Sequence, residues 1–171
     1  MLSATLKELM RRYYQAGARD FHGLDLQGLD LQQVHMAAAD LRRANLTKAQ
    51  LSHADLTHIN GYQINLAQAD LREASLAEAV LVQADLRKSR CHRTTLVNAD
   101  LRDSLLAQAD LSHANLEGAN LQGADLSHAQ LYWANLRYAN LQGANLQGAD
   151  LSGAKFSQTR MPDGSKRHGD G

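Results

Sequence analysis

The chain has few of the residues that usually shape a globular domain. Its 171 residues include one cysteine, one proline, one tryptophan and two phenylalanines. A single cysteine excludes an internal disulfide framework, so folding needs no oxidising compartment. No stretch approaches the roughly 18 consecutive apolar residues of a membrane-spanning helix, and the N-terminal segment lacks the apolar core of a secretory signal. The sequence therefore predicts a cytoplasmic protein with no membrane association.

The chain also has no excess of charge of either sign. It contains 18 Lys and Arg residues and 18 Asp and Glu residues, so its formal net charge is zero. Binding to nucleic acid by bulk attraction needs a basic excess, whereas imitation of DNA needs an acidic one. The charge balance therefore predicts no direct nucleic-acid binding, and it does not favour a DNA mimic.

A five-residue repeat fills most of the chain. From Phe21 to Phe156 a core position recurs at every fifth residue, and 23 of these 28 positions are leucine. A small or apolar residue, most often alanine, usually stands two positions before the core position, and Asp or Asn most often stands between them. Two mostly polar residues follow. The core positions that are not leucine are Phe21, Met36, Gly61, Cys91 and Phe156.

A period of five matches neither a helix nor a straight strand. On a helix, successive leucines would lie about 140° apart, and on a strand they would alternate between the two faces. Both arrangements leave leucines in water. The pattern therefore predicts a chain that turns within every five residues, directs each core residue toward a common axis and stacks its units on one another.

The tandem A(D/N)LXX motif resembles the signature of the pentapeptide-repeat proteins, including long arrays from cyanobacteria. The resemblance implies an all-β fold, a right-handed quadrilateral β-helix with four pentapeptides in each coil. The 28 units would then form about seven coils. Residues 20 apart would lie directly above one another.

The chain divides into three predicted regions. Residues 1–18 form an N-terminal capping helix, because apolar residues recur there at helical spacing. Residues 19–158 form the β-helix, and residues 159–171 form a flexible C-terminal tail. Family members often dimerise through their C-terminal coils, so the resemblance implies a monomer or a weak homodimer formed through that coil.

The outward positions assemble no enzyme site. No Ser or Cys nucleophile has a nearby base, since Cys91 points inward, and no glycine-rich phosphate loop precedes a helix. His92 and His113 fall on adjacent coils, but a pair of histidines without a carboxylate or thiolate partner is a weak metal site. We therefore predict no catalytic residues, no cofactor and no metal, and a protein that is not an enzyme.

One face departs from the repetitive pattern. Arg90 stands where Asp or Asn is usual, and Trp133, the only tryptophan, points outward in this register. Arg, Tyr and Trp dominate the energetics of protein interfaces. A solvated face of mixed charge is the alternative interpretation. The predicted protein-binding face comprises Arg72, Arg90, His92, Arg93, His113, Tyr132 and Trp133.

Two functions are compatible with this pattern. The first is a non-enzymatic interaction module, a rigid scaffold or regulator that presents one outer face to an unidentified protein partner. The second comes from the resemblance, since some family members imitate DNA and inhibit gyrase. That function requires acidic residues aligned on one face, whereas here arginines offset the aspartates.

Overall fold

The computed structural model describes residues 2–169. It contains one helix, α1 (Leu2–Gln15), and two short antiparallel strands, β1 (Thr159–Arg160) and β2 (Lys166–Arg167). Between α1 and β1, residues 20 apart form parallel bridges, from Asp20 with Asp40 to Asn140 with Arg160. Four pentapeptides therefore make one coil. The right-handed sense of the coil stays a prediction.

Each unit turns in the same way. In the unit around Leu46, the Leu46 N–H donates to Asn65 O of the next coil at 2.7 Å, and the Ala49 N–H closes a tight turn onto Leu46 O at 3.0 Å. Lys48, inside the turn, has a left-handed φ of 59°. Asn45 Oδ1 accepts the Thr47 N–H at 3.2 Å. This bond explains the Asp and Asn before the core position, because both side chains cap such turns.

The leucines and alanines fill the interior of the coils. Gly61, which interrupts the leucine column, has no room for a side chain, since a Cβ there would lie 3.0 Å from Leu81 Cδ2 and 3.1 Å from Ile64 Cγ2. Neighbouring side chains therefore occupy the space of the missing leucine. Cys91 is fully buried, and this burial raises the pKa of its thiol to about 12. Its inward orientation agrees with the prediction.

Helix α1 covers the first coil. Met10 is only 3% exposed, and Leu6 and Tyr14 also pack against the core. The Tyr14 hydroxyl donates to Ala37 O at 2.9 Å, and the Arg19 guanidinium lies 3.8 Å above the Tyr14 ring. Helix α1, the one helix among residues 2–169, is neither long enough nor apolar enough to cross a membrane.

The described part of the C-terminal segment is more ordered than the predicted flexible tail. Thr159 Oγ1 donates to Leu136 O at 2.7 Å, and Pro162 O accepts the Gly143 N–H at 2.9 Å. The order arises because Thr159 and Met161 continue the five-residue spacing, with Thr159 fully buried at the small inward position. The last two residues of this region, 170 and 171, lie outside the described residues.

Candidate functional site

All seven residues of the predicted face lie in one column of the solenoid. We define the Arg90 face as the outward residues of the units centred on Leu31, Leu51, Leu71, Cys91, Leu111, Leu131 and Leu151. Parallel bridges join Asp70 to Arg90, Arg90 to Asp110 and Asp110 to Gln130 along this column. Each core residue is followed by two turn residues, which supply the other members of the face.

A buried carboxylate holds two of the arginines. The Asp70 side chain is 5% exposed and accepts from Arg72 Nε at 2.7 Å and from Arg72 Nη2 at 2.6 Å. Arg90 Nη1 lies 3.5 Å from Asp70 Oδ2. The hydrogen bonds from Arg72 are the main cause that lowers the pKa of Asp70. Arg72 is therefore a paired group, not a free one.

Arg93 differs from these two arginines. Its side chain is exposed at a turn position with φ 56°, and it forms no ion pair within the described residues. The nearest carboxylate in its own column, Glu73 of the coil below, lies 3.6 Å from His53 Nδ1. The three arginines lie among three carboxylates, Asp70, Glu73 and Asp110, so the charges balance. Arg93 is therefore the one exposed cation of this cluster that has no ion pair within the described residues.

A line of rings continues above the arginines. The His92 and His113 rings meet edge to face, with centroids 5.3 Å apart and planes at 76°. His113 and Tyr132 repeat the contact at 5.6 Å and 83°. His92 Nδ1 lies 2.8 Å from Ser112 Oγ, whose hydroxyl donates to Asp110. These contacts hold the rings in place and define their orientation.

Trp133 forms the upper end of the line. A Cβ built on Gly153, one coil further on, would lie within 2.9 Å of the indole ring carbons, so the ring rests against the bare Gly153 backbone. The Trp133 side chain is nevertheless 58% exposed. The indole is therefore supported on one side and open to a partner on the other.

The arrangement brings together groups suited to binding a partner, namely guanidinium groups, imidazoles and aromatic rings. Among the described residues, no three His, Cys, Asp or Glu side chains come together to hold a metal ion. A groove of about 460 Å³ lies at the foot of the face, between α1 and the first coil, lined by Lys7, Arg11, Tyr14, Gln15, Gln32, Gln33, Val34 and His35.

Comparison with known proteins identifies the family. The model of the pentapeptide repeats matches residues 20–60, 64–103, 99–137 and 129–163 in eight copies. The chain belongs to the pentapeptide-repeat family. The resemblance drawn from the A(D/N)LXX motif is thereby confirmed.

Solved structures of other pentapeptide-repeat proteins resemble this one. HetL, involved in heterocyst differentiation regulation in the cyanobacterium Nostoc sp. strain PCC 7120, is 32% identical over 92% of this chain and 98% of its own, with a TM-score of 0.27. A trypsin-treated form of QnrB1, a plasmid-mediated fluoroquinolone resistance protein, is 21% identical over 80% of this chain and 71% of its own, with a TM-score of 0.56. No curated protein matches.

Sequence reasoning missed the partners that hold the face of this pentapeptide-repeat protein. Asp70 and Ser112 position the arginine pair and His92, and Gly153 supports Trp133. The signals were present in the spacing. The first signal is an Asp just before a core leucine with an Arg just after it, a spacing that also gives an ion pair between Asp40 and Arg42. The second is the position of Gly153, which follows Trp133 by 20 residues and so lies one coil above it.

Proposed function

We propose that this pentapeptide-repeat protein is a non-enzymatic scaffold or regulator that presents the Arg90 face to a protein partner. The observation that carries the proposal is the continuity of the face. The arginines Arg72, Arg90 and Arg93 lie next to the line of rings formed by His92, His113 and Tyr132. Trp133 lies at the far end of that line. Few partner contacts would be needed, since Arg, Tyr and Trp provide most of the energy at interfaces.

The rigidity of these side chains also supports the proposal. The edge contacts of His113 and the support of Trp133 by Gly153 restrict rotamers before any partner arrives. Immobilising a flexible side chain on binding costs about 0.5–1.5 kcal/mol. A preorganised face avoids part of this cost and so binds more tightly than a flexible surface of the same composition.

The three regions have separate roles in this proposal. Residues 19–158 are the scaffold, residues 1–18 are its N-terminal cap, and residues 159–171 are a C-terminal tail of which Thr159 and Arg160 extend the last coil. We propose a cytoplasmic protein that is a monomer or a weak homodimer through the C-terminal coil. The regulatory involvement of HetL supports a regulatory role for its relative.

The charges give less support to a DNA-mimicking regulator of gyrase. On the Arg90 face, Asp30, Asp70, Asp110 and Asp150 alternate with Gln50, Arg90 and Gln130, so no continuous acidic stripe forms. Arg42 bonds to Asp40 on a second face and Arg87 to Asp85 on a third. A mimic of the phosphate backbone needs unpaired acidic groups in a row.

The proposal is tested with the full chain immobilised and exposed to lysate of its host. The variant Arg90→Glu/Arg93→Glu/Trp133→Ala changes the face, and circular dichroism and melting establish that it folds. We expect a specific protein to be retained by the wild type and lost by this variant. Labelling that protein by a photoreactive group placed at residue 113 identifies the surface that it contacts.

A matched control separates the Arg90 face from general charge. Arg42→Glu/Arg43→Glu/Tyr62→Ala removes two arginines and one aromatic residue from another face, and it should retain the partner. Equal loss from both variants would contradict the proposal. Retention of gyrase by the wild type and by both variants would favour the second candidate function instead.

A further inference from the structure

The Arg90 face presents two different chemistries at its two ends. At the lower end, Arg93 has no ion pair within the described chain, and Arg90 and Arg72 share the single buried carboxylate of Asp70. At the upper end, the exposed indole of Trp133 lies beside Tyr132. A partner that matches the whole face therefore needs negative charge for one end and an apolar side chain for the other.

The coil spacing determines how far apart these two groups must be. Arg93 and Trp133 occupy the same turn position two coils apart, with His113 between them. Adjacent coils are spaced by about 4.8 Å, so the two ends are about 10 Å apart. An extended peptide in the polyproline II conformation rises about 3.1 Å per residue and has three residues per turn, so residues i and i+3 face the same side about 9 Å apart.

A nucleic-acid strand fits the face less well than an acidic peptide does. A phosphate backbone carries a charge at every nucleotide, whereas the free positive charge here is confined to one coil. Along the column, a strand would also meet the carboxylates of Asp30, Asp110 and Asp150, which form no ion pair with an arginine within the described residues. A peptide with one acidic residue at Arg93 brings no further negative charge to these three carboxylates.

We propose that the Arg90 face binds an extended acidic segment of a partner protein, in which Asp or Glu contacts Arg93 and Arg90 and an aliphatic or aromatic residue three positions away packs on Trp133 and Tyr132. This inference rests on the proposed function, because it names the chemistry of the partner at the same face. His113 contacts the segment between its two anchors. The carboxylate forms charge-assisted hydrogen bonds to guanidinium groups, and these bonds are stronger than neutral ones.

The test is selection of peptides from a random displayed library on the full-length protein. The pool selected on the wild type should be enriched in Asp or Glu with an apolar residue three positions away. Arg93→Glu should lose that acidic preference and select Lys or Arg instead. The matched control is Arg43→Glu, because Arg43 is exposed at the same turn position with φ 57°, and its pool should equal that of the wild type.

A synthetic peptide from the pool, free of tryptophan, is then titrated by the fluorescence of Trp133, the only tryptophan in the chain. Loss of a charge-assisted contact should weaken its affinity for Arg93→Glu by at least about tenfold. Arg43→Glu should change the affinity less than twofold. A second titration with a single-stranded oligonucleotide of mixed sequence should show weaker binding than the peptide.

Three results would overturn the proposal. The first is a selected pool without acidic enrichment, the second is an acidic pool that Arg93→Glu leaves unchanged, and the third is tighter binding of the oligonucleotide. If a neutral pool is lost on Trp133→Ala, the acidic segment is wrong but the proposed function stands. If no variant of the face alters peptide selection or partner retention, both proposals fail.

Discussion

The first and last coils of the solenoid differ in how completely their leucines are buried. At the first coil, Leu26 and Leu31 are only 1% and 0% exposed, and Leu6 and Tyr14 of α1 pack against the core. At the last coil, the side chains of Leu146 and Leu151 are only partly buried. The leucines are chemically identical, so the difference comes from what lies beyond them.

This difference shows that a repeat unit obtains much of its stability from the unit or cap on each side. Each pentapeptide buries its leucine against the coils before and after it. Where a cap or a further coil is present, the leucine is fully buried. Where one side is open, the same sequence keeps part of its apolar surface in water.

The largest expected effect comes from one substitution made at both ends. Leu31 and Leu151 occupy the same column, and Leu31 is fully buried whereas Leu151 is partly exposed. Leu31→Ala should lower the free energy of unfolding by about 2–5 kcal/mol, as for other fully buried leucines. Leu151→Ala should cost about half as much, because solvent already reaches that side chain. Urea unfolding measures both losses, and equal losses would contradict the comparison.

A smaller effect is expected from the hydrogen bond that fastens α1. Tyr14→Phe removes the hydroxyl that donates to Ala37 O at 2.9 Å and should cost about 1 kcal/mol of unfolding free energy. Tyr13→Phe is the matched control on the same helix, because the Tyr13 side chain is 56% exposed and forms no hydrogen bond within the described residues. Thermal melting compares the two, and an equal shift in Tm would mean that the hydroxyl of Tyr14 does not hold the cap.

The smallest expected effect depends on pH and concerns the ion pair between α1 and the first coil. The Gln32 N–H and, second, the hydrogen bond from Lys7 Nζ at 3.3 Å lower the pKa of Asp30 below its ordinary 3.8. Asp30→Asn keeps an oxygen acceptor for the N–H but removes the attraction to Lys7. It should slightly lower the Tm at neutral pH and low salt.

The sign of the pH dependence follows from the lowered pKa. A carboxylate whose pKa falls on folding stabilises the protein above its unfolded value, and this contribution is lost as the pH falls through the lower folded value. Wild type and Asp30→Asn should therefore converge in Tm as the pH falls below 3.8. Asp150→Asn, at the open end of the same column and held by Ser152 without a cation, should show no comparable salt dependence. A larger salt effect for Asp150→Asn would refute this assignment.

Much of the fold and part of the candidate site follow from the order of the residues. The five-residue period predicts the inward position of Cys91, and its burial agrees. The resemblance to pentapeptide-repeat proteins implies coils of four units, which place His92 and His113 on adjacent coils, and the observed bridges and ring contact agree. The outward position of Trp133 was equally predictable. These features depend on burying one large apolar residue in every five, which leaves a single register available to the chain.

The five-residue period did not predict which residues contact the outward side chains or how the C-terminal segment packs on the last coil. Arg90 lies beside Asp70 of the coil below, Trp133 rests on Gly153, and Thr159 extends the last coil. Several rotamers of an exposed Arg or Trp satisfy the same repeat. The choice among them depends on small energies between neighbours 18 to 23 residues away, and only the stacked coils bring those neighbours within reach. Burial of the core residues was thus determined by sequence alone, whereas the surface contacts were decided by the tertiary structure.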